Sequence, residues 1–489
     1  MSIEIKDLNP DKIWQFFYEI TQIPRPSKKE AGIIEYVRNF GTQRQLKTIV
    51  DKTGNVIIKK PATPGMENLK GVVLQSHLDM VPQKNRNSDH DFEKDPIKTF
   101  IDGDWVTADG TTLGADNGMG VAATLAVLDS SDLSHGPIEA LFTVDEETGM
   151  TGAFGLESGQ LDGEILLNLD SEDEGELYVG CAGGLDANIS FAYTEVPVPP
   201  DSIAFEVRIG GLKGGHSGLD INLGRGNANK LLFRFLKHAV NLLDAGIANI
   251  DGGSLRNAIP RDAAADVVIM QGKEKELKSL VEQYEDIYRK ELSDTEPDLK
   301  FEIKKTELPD FQVDESTLRK LIAGIISCPN GVMRMSSSMP GLVETSTNLA
   351  RVYSEEGKVN LQCLLRSSVD SSRDELAGMI ESLFNLAGAG VSFTGAYPGW
   401  KPDMQSEILA VMKKVYDKLY GRVPEIKAIH AGLECGLIGG VYPGLDMISF
   451  GPTIRFPHSP DEKVHIASVE KFWVYLVETL KSVPEKKQV

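Results

Sequence analysis

The chain has 489 residues, a formal net charge of −21, 41% hydrophobic and 25% charged residues. That length allows two or three domains with a large core, and the composition is that of an ordinary globular protein. The acidic balance argues against nucleic acid and anionic membrane as partners, since both are bound through basic patches, and no apolar run is long enough to span a bilayer.

The N-terminus lacks a basic region followed by an apolar one, so no signal peptide is read there. Four cysteines, Cys181, Cys328, Cys363 and Cys435, lie far apart without a CxxC pair. They read as reduced, buried thiols of a cytoplasmic protein.

Asn9 and Pro10 open an amphipathic helix with Ile13, Phe16, Phe17 and Ile20 on one face. Ser27 followed by Glu30 reads as a capping box for a second helix containing Ile33, Ile34 and Val37. VDKTGNVIIKK is strand, turn, strand. Residues 71–80, GVVLQSHLDM, form a strand buried on both faces with a polar exit, and its alternation sets His77 and Asp79 on one side. A loop over residues 81–105, rich in charge and proline, leads to the glycine-rich TTLGADNG and a small-residue helix over 118–128. Asp116 stands just before that helix, where an N-cap is the plain reading.

A strand over residues 140–144 ends in Asp145, Glu146 and Glu147; one over 165–169 ends in Asp170 and Ser171. Adjacent carboxylates are costly to bury without a cation. Three strand exits with potential ligands, and Asp116 between them, form a constellation at the end of an open α/β sheet where such folds place their sites.

After GCAGG (residues 180–184) the texture changes. Residues 202–209 read as a strand, GLKGGHSG as a turn carrying His216, NANKLLFRFLKHAVNLL as a helix, SLRNAIP and DAAADVVIM as strands, then a helix and a strand. That β-α-β-β-α-β order is ferredoxin-like. A second, similar α+β half follows, to about Pro398. The expected fold is a discontinuous α/β catalytic domain, residues 1–185 and 399–489, interrupted by an inserted α+β lid domain of two ferredoxin-like halves, residues 186–398. In the last part, AIHAGLECG and LDMISFGP read as strand plus loop, PTIRFPHSPDEKVH as a loop holding His458 and His465, and SVEKFWVYLVETLKSV as a helix.

His77, Asp116, Glu147, Asp170 and His458 can hold two divalent ions with one carboxylate bridging. Nitrogen and oxygen ligands without cysteine suit zinc, with manganese or cobalt as alternatives. Glu146, beside a ligand but pointing elsewhere, is a candidate general base on a water bridging the metals.

The motifs HLDM, TLGADNG, DEETGM, NLDSE, GLKGGHSG, SLRNAIP, HAGLECG and GPTIRFPHSP resemble, in order and over essentially the whole chain, those of the aminoacyl-histidine (cytosol non-specific) dipeptidases. These belong to the glutamate carboxypeptidase and aminoacylase clan of metallopeptidases. The resemblance implies hydrolysis of Xaa-His and related dipeptides by a hydroxide bridging two divalent ions. It implies His77, Asp116, Glu147, Asp170 and His458 as ligands, with Asp116 bridging, and Glu146 as the base. Asp79 would orient His77, His216 would stabilise the oxyanion, and Asn257 and Arg366 would grip the substrate carboxylate. It further implies a cis peptide after Asp116, and it makes a homodimer plausible.

Other readings stand beside these. Asn257 can be a turn residue and Arg366 a salt-bridge partner; His90, His135 and His238 read as surface or capping groups, and His430 and His465 lie near the motifs without an assigned role. The rival functions are an aminoacylase or tripeptidase of the same clan, and a binding protein that kept the fold and lost the chemistry.

Overall fold

An eight-stranded sheet organises the site-bearing part of the chain. Its strands run in the order Lys47–Val50, Val56–Lys60, Ile138–Thr143, Val72–His77, Ile165–Asn168, Asp446–Ser449, Glu176–Cys181 and Glu425–Ile429. The four from Ile138–Thr143 to Asp446–Ser449 are mutually parallel. Every residue of Val72–His77, Ile138–Thr143 and Ile165–Asn168 is buried, as parallel strands covered on both faces require. The helix Ala115–Asp129 packs against Val72–His77, and Gly120 brings its backbone close to Leu169, where a Cβ would stand 2.6 Å from the carbonyl oxygen.

The structure, a computed structural model, describes residues 4–487; residues 1–3 and 488–489, assigned from sequence to the ends of the catalytic domain, lie outside them. The chain divides into two units: Met1–Gly180, Pro402–Ala428 and Leu433–Val489 form the first, and Cys181–Lys401 with Ile429–Gly432 the second. The divisions therefore fall a few residues from the expected 185/186 and 398/399. Residues 429–432 also join the second unit, a detour through HAGLECG with no sequence signal.

Several local readings need correction. Ser27 and Glu30 form no capping box: Glu30 is the N-cap of the helix Ala31–Gln43 and makes no side-chain cap bond. Ser27 instead donates to Asp79 Oδ2 at 2.8 Å. The loop over 81–105 contains the strand Thr99–Asp102. With Trp105–Ala108, Ile454–Arg455 and Lys463–His465 it builds a small antiparallel sheet, so 452–465 is a hairpin rather than a free loop. HAGLECG runs into the helix Glu434–Val441, a short element whose Gly-rich sequence hides it.

The second unit holds a nine-stranded sheet in the order Lys300–Thr306, Ser202–Gly210, Ala263–Met270, Gly246–Gly252, Val343–Glu355, Lys358–Ser367, Gly183–Ala192, Gly390–Tyr397, with Gly331–Met335 paired to Val343–Glu355. The second strand of the first half in chain order is Gly246–Gly252 and not SLRNAIP, which contributes only the short Ala258–Ile259. Gly183–Ala192, first in the chain, pairs with Lys358–Ser367 and Gly390–Tyr397, so the two halves are not consecutive in sequence. One hydrophobic core spans both, from Phe205 and Phe235 to Phe191 and Phe384.

Candidate active site

The four parallel strands of the first unit deliver the candidate ligands from their carboxyl ends, as open α/β sheets do. His77 closes one strand; Glu146 and Glu147 follow Thr143; Asp170 follows Asn168; the segment after Ser449 leads to the hairpin bearing His458. Asp116 sits at the start of Ala115–Asp129, but its φ −82°, ψ 109° and those of Asn117 are not helical, and the peptide between them is cis, as expected. The Asp116 side chain is turned to two histidines and makes no cap bond to the helix among the described residues. One carboxylate oxygen faces His77 Nε2 at 3.1 Å and the other faces His458 Nε2 at 3.2 Å.

Two ligand triads share that carboxylate. His77, Asp116 and Asp170 form one, with His77 Nε2 3.3 Å from Asp170 Oδ1. Asp116, Glu147 and His458 form the other, with His458 Nε2 3.0 Å from Glu147 Oε2. His77 also groups with Glu146 and Glu147.

Asp79 is buried behind this array. Its Oδ1 lies 3.3 Å from His77 Nδ1 and accepts from the Glu146 N–H at 3.0 Å; its Oδ2 accepts from the Glu147 N–H at 3.2 Å. One carboxylate thus fixes the His77 ring and the backbone of both glutamates.

The electrostatics fit a cation site. Burial works against a charged His77, yet Asp170, Asp116 and Asp79 hold its pKa well above the ordinary value. Hydrogen bonds to Asp116 and then Glu147 raise His458 to about 11. Burial pushes Glu146 well above the carboxylate range, and neighbouring carboxylates, Asp170 first, add to it. Burial likewise raises Glu147 and Asp170. Both histidines face carboxylates that favour positive charge there, and Glu147 Oε1 is buried without a hydrogen-bond partner among the described residues. Two imidazoles and three carboxylates around two centres are a donor set for divalent metal.

Support for this array comes from residues the sequence did not single out. Arg25, 2% exposed, donates through Nη1 to Leu78 O and Asp79 O at 2.9 and 2.8 Å and through Nη2 to Gly114 O at 2.5 Å. Gly114 adopts φ +71°, and a Cβ there would stand 2.6 Å from Arg25 Nη2. Beneath the ligands runs a buried polar chain. Thr143 Oγ1 and Gln75 Nε2 donate to Glu434 Oε2 at 2.8 and 2.6 Å, Asn168 Nδ2 donates to Gln75 Oε1, and Ser449 Oγ donates to Asn168 Oδ1. Thr143, Gln75, Asn168 and Ser449 sit on four adjacent strands, the first three within four residues of a candidate ligand, and Glu434 opens the helix Glu434–Val441. Polar residues inside otherwise apolar strands were the available signal.

His216, Asn257 and Arg366 lie in the second unit. Gly215–His216 pairs with Ala258–Ile259, and the Ser217 N–H donates to Asn257 O at 2.8 Å, which brings His216 beside Asn257. His216 Nδ1 accepts from the Gly218 and Leu219 N–H groups at 3.2 and 3.0 Å, so the neutral ring carries its proton on Nε2. Burial and then Arg366 lower its pKa. Arg366 is 6% exposed, and its Nη1 donates to the Tyr397 hydroxyl at 3.3 Å. Opposite Arg366 on the next strand, Ser346 Oγ lies 2.7 Å from His430 Nε2. Burial, Arg366 and His216 push His430 down to about 3, so this ring stays neutral. The second unit thus presents a guanidinium and a neutral N–H donor, an arrangement suited to anionic groups.

The remaining histidines have structural partners. His465 packs edge-on against Trp105, His90 against Phe92 and His238 beside Tyr284. His135, read as a surface or capping group, is buried, with Nδ1 2.7 Å from Gly136 O.

A profile of Peptidase family M20/M25/M40 matches residues 73–482. The cytosol non-specific dipeptidase of Escherichia coli (strain K12) is 47% identical over 483 residues, 99% of this chain and 100% of that protein. A crystal structure of aminoacylhistidine dipeptidase from Vibrio alginolyticus superposes with a TM-score of 0.94 at 52% identity, covering 99% of each chain. Aminopeptidase PepT from Bacillus cereus ATCC 10987, at 18% identity and a TM-score of 0.57, shares the fold. The chain belongs to peptidase family M20/M25/M40.

Proposed function

We propose that this protein is a metal-dependent dipeptidase acting on Xaa-His and related dipeptides. The observation that carries the reading is Asp116, whose two oxygens each face one histidine–carboxylate pair. The names of the two full-length relatives, both dipeptidases, support the substrate class. The word cytosol in the first supports a cytoplasmic location.

His77, Asp116 and Asp170 would hold one divalent ion and Asp116, Glu147 and His458 the other, most simply zinc, with manganese or cobalt also compatible. Two such ions supply Lewis-acid polarisation and a water of lowered pKa. Asp79 orients His77 through Nδ1, which leaves Nε2 directed at the first centre. Glu146 takes the proton from the attacking water and passes it to the leaving amine. Its backbone is pinned by Asp79, and burial raises its pKa, which favours taking the proton from water. The proton on Nε2 of His216 is available to a developing oxyanion. Arg366, with Asn257, binds the substrate carboxylate; its buried Nε has no hydrogen-bond partner among the described residues.

The test is hydrolysis of a panel of Xaa-His and other dipeptides, N-acyl amino acids and tripeptides, before and after metal removal by a chelator. Turnover confined to dipeptides, lost on chelation and restored by zinc, manganese or cobalt is the expected result. Preference for acyl amino acids or tripeptides moves the protein to another branch of the family, and no turnover with any metal makes it a binding protein.

A further inference from the structure

Glu462 lies in the hairpin that bears His458, four residues beyond it, and is 2% exposed. Its Oε2 accepts from the backbone N–H groups of Leu113 and Gly114 at 2.8 and 3.0 Å, and its Oε1 from those of Ala115 and Asp116 at 2.7 and 3.3 Å. Four consecutive amides converge on one carboxylate because Gly114, at φ +71°, turns the chain into an anion-binding concavity. The Glu462 main chain is itself held: its carbonyl accepts from Thr107 Oγ1 at 2.7 Å, and Lys463–His465 pairs with Trp105–Ala108.

The turn before Asp116 is therefore gripped from two sides. Arg25 binds the Gly114 carbonyl together with the carbonyls of Leu78 and Asp79, tying the turn to the His77 strand. Glu462 binds the amides and ties the same turn to the His458 hairpin. His458 needs such an anchor, since its side chain is 52% exposed and its backbone sits at φ +59°. Without Glu462, Arg25 still joins Asp116 to His77, but among the described residues the only other side-chain bond between the His458 hairpin and the turn over residues 113–116 is the contact of His458 with Asp116 itself.

We propose that Glu462 is a positioning residue that sets His458 against Asp116, and so governs the centre formed by Asp116, Glu147 and His458 while leaving the His77, Asp116 and Asp170 centre nearly intact. The inference rests on the two-metal reading above. Loss of an outer partner that orients a metal ligand costs about 10–100-fold in affinity, and here that loss falls on one of two centres.

The experiment titrates the metal-free full-length protein with zinc in competition with a chromophoric chelator, for wild type, Glu462→Ala, Glu462→Gln and His458→Ala. Wild type should take up two equivalents. Glu462→Ala should weaken the second by about 10-fold or more and the first by less than about 3-fold. Glu462→Gln, which keeps one carbonyl oxygen for two of the four amides, should fall between Ala and wild type, and it answers the question if the alanine variant misfolds. His458→Ala marks complete loss of the second site. Equal weakening of both equivalents, or no change in Glu462→Gln and Glu462→Ala, overturns the proposal. A wild type that binds fewer than two equivalents overturns the two-metal reading instead.

Discussion

Arg25→Met removes a buried fork while keeping most of the side chain's length. Burial pushes the Arg25 pKa down to about 10, against the pull of Asp79, Glu462 and Asp116, so it is charged at pH 7. Three carbonyls, of Leu78, Asp79 and Gly114, then lose a charged donor in a place water does not reach. Hydrogen bonds to a charged group are worth about 1.5–3 kcal/mol each. The three are not additive, and methionine recovers some apolar contact, so a loss of about 3–5 kcal/mol is expected, in line with breaking other buried charge networks. Urea unfolding of chelator-treated protein, followed by tryptophan fluorescence, measures it. Trp14, Trp105 and Trp473 all report on the first unit. Arg25→Lys should recover little, since one ammonium cannot reproduce a planar fork spanning three acceptors. A loss below about 1 kcal/mol for Arg25→Met, the size of one ordinary neutral hydrogen bond, would refute the reasoning.

Glu146→Gln should keep fold and zinc content and lose about 10²–10⁴-fold in turnover, because the amide cannot take a proton; near wild-type turnover would point to another base. His216→Ala should lower kcat by about 10²–10³-fold with little change in zinc affinity, as expected for a lost oxyanion donor. A drop in zinc affinity of the same size contradicts that role. His430 has its folded pKa depressed to about 3 from 6.5. Stability of the second unit should therefore be complete above about pH 6.5 and fall as the pH drops towards 3. Followed by Trp400 fluorescence, His430→Gln should flatten that acid branch, and an unchanged slope rules the histidine out as its source.

What sequence alone could determine was local. Val72–His77, Ile138–Thr143 and Ile165–Asn168 are short apolar runs with polar exits; the last two end within one residue of the position read for them, and the first ends three residues short of the 71–80 stretch. A period of two and an abrupt change of polarity are properties of the chain itself. The candidate ligands were legible for the same reason: carboxylates and a histidine at the ends of apolar strands are too costly to leave there without a partner. Residues bonded across long sequence separations were not legible. Ser27 and Glu30 have the spacing of a capping box, but Ser27 meets Asp79, 52 residues away, and Glu30 meets the Asp145 amide, 115 away. Glu462 reads as one more acid in a charged hairpin until folding places it beneath four amides some 346 to 349 residues earlier. The strand Gly183–Ala192 looks like the start of one half-domain but pairs with strands of the other. Periodicity and propensity act over a few residues, whereas the choice among distant partners is made by which amides and carbonyls would otherwise stay buried and unpaired.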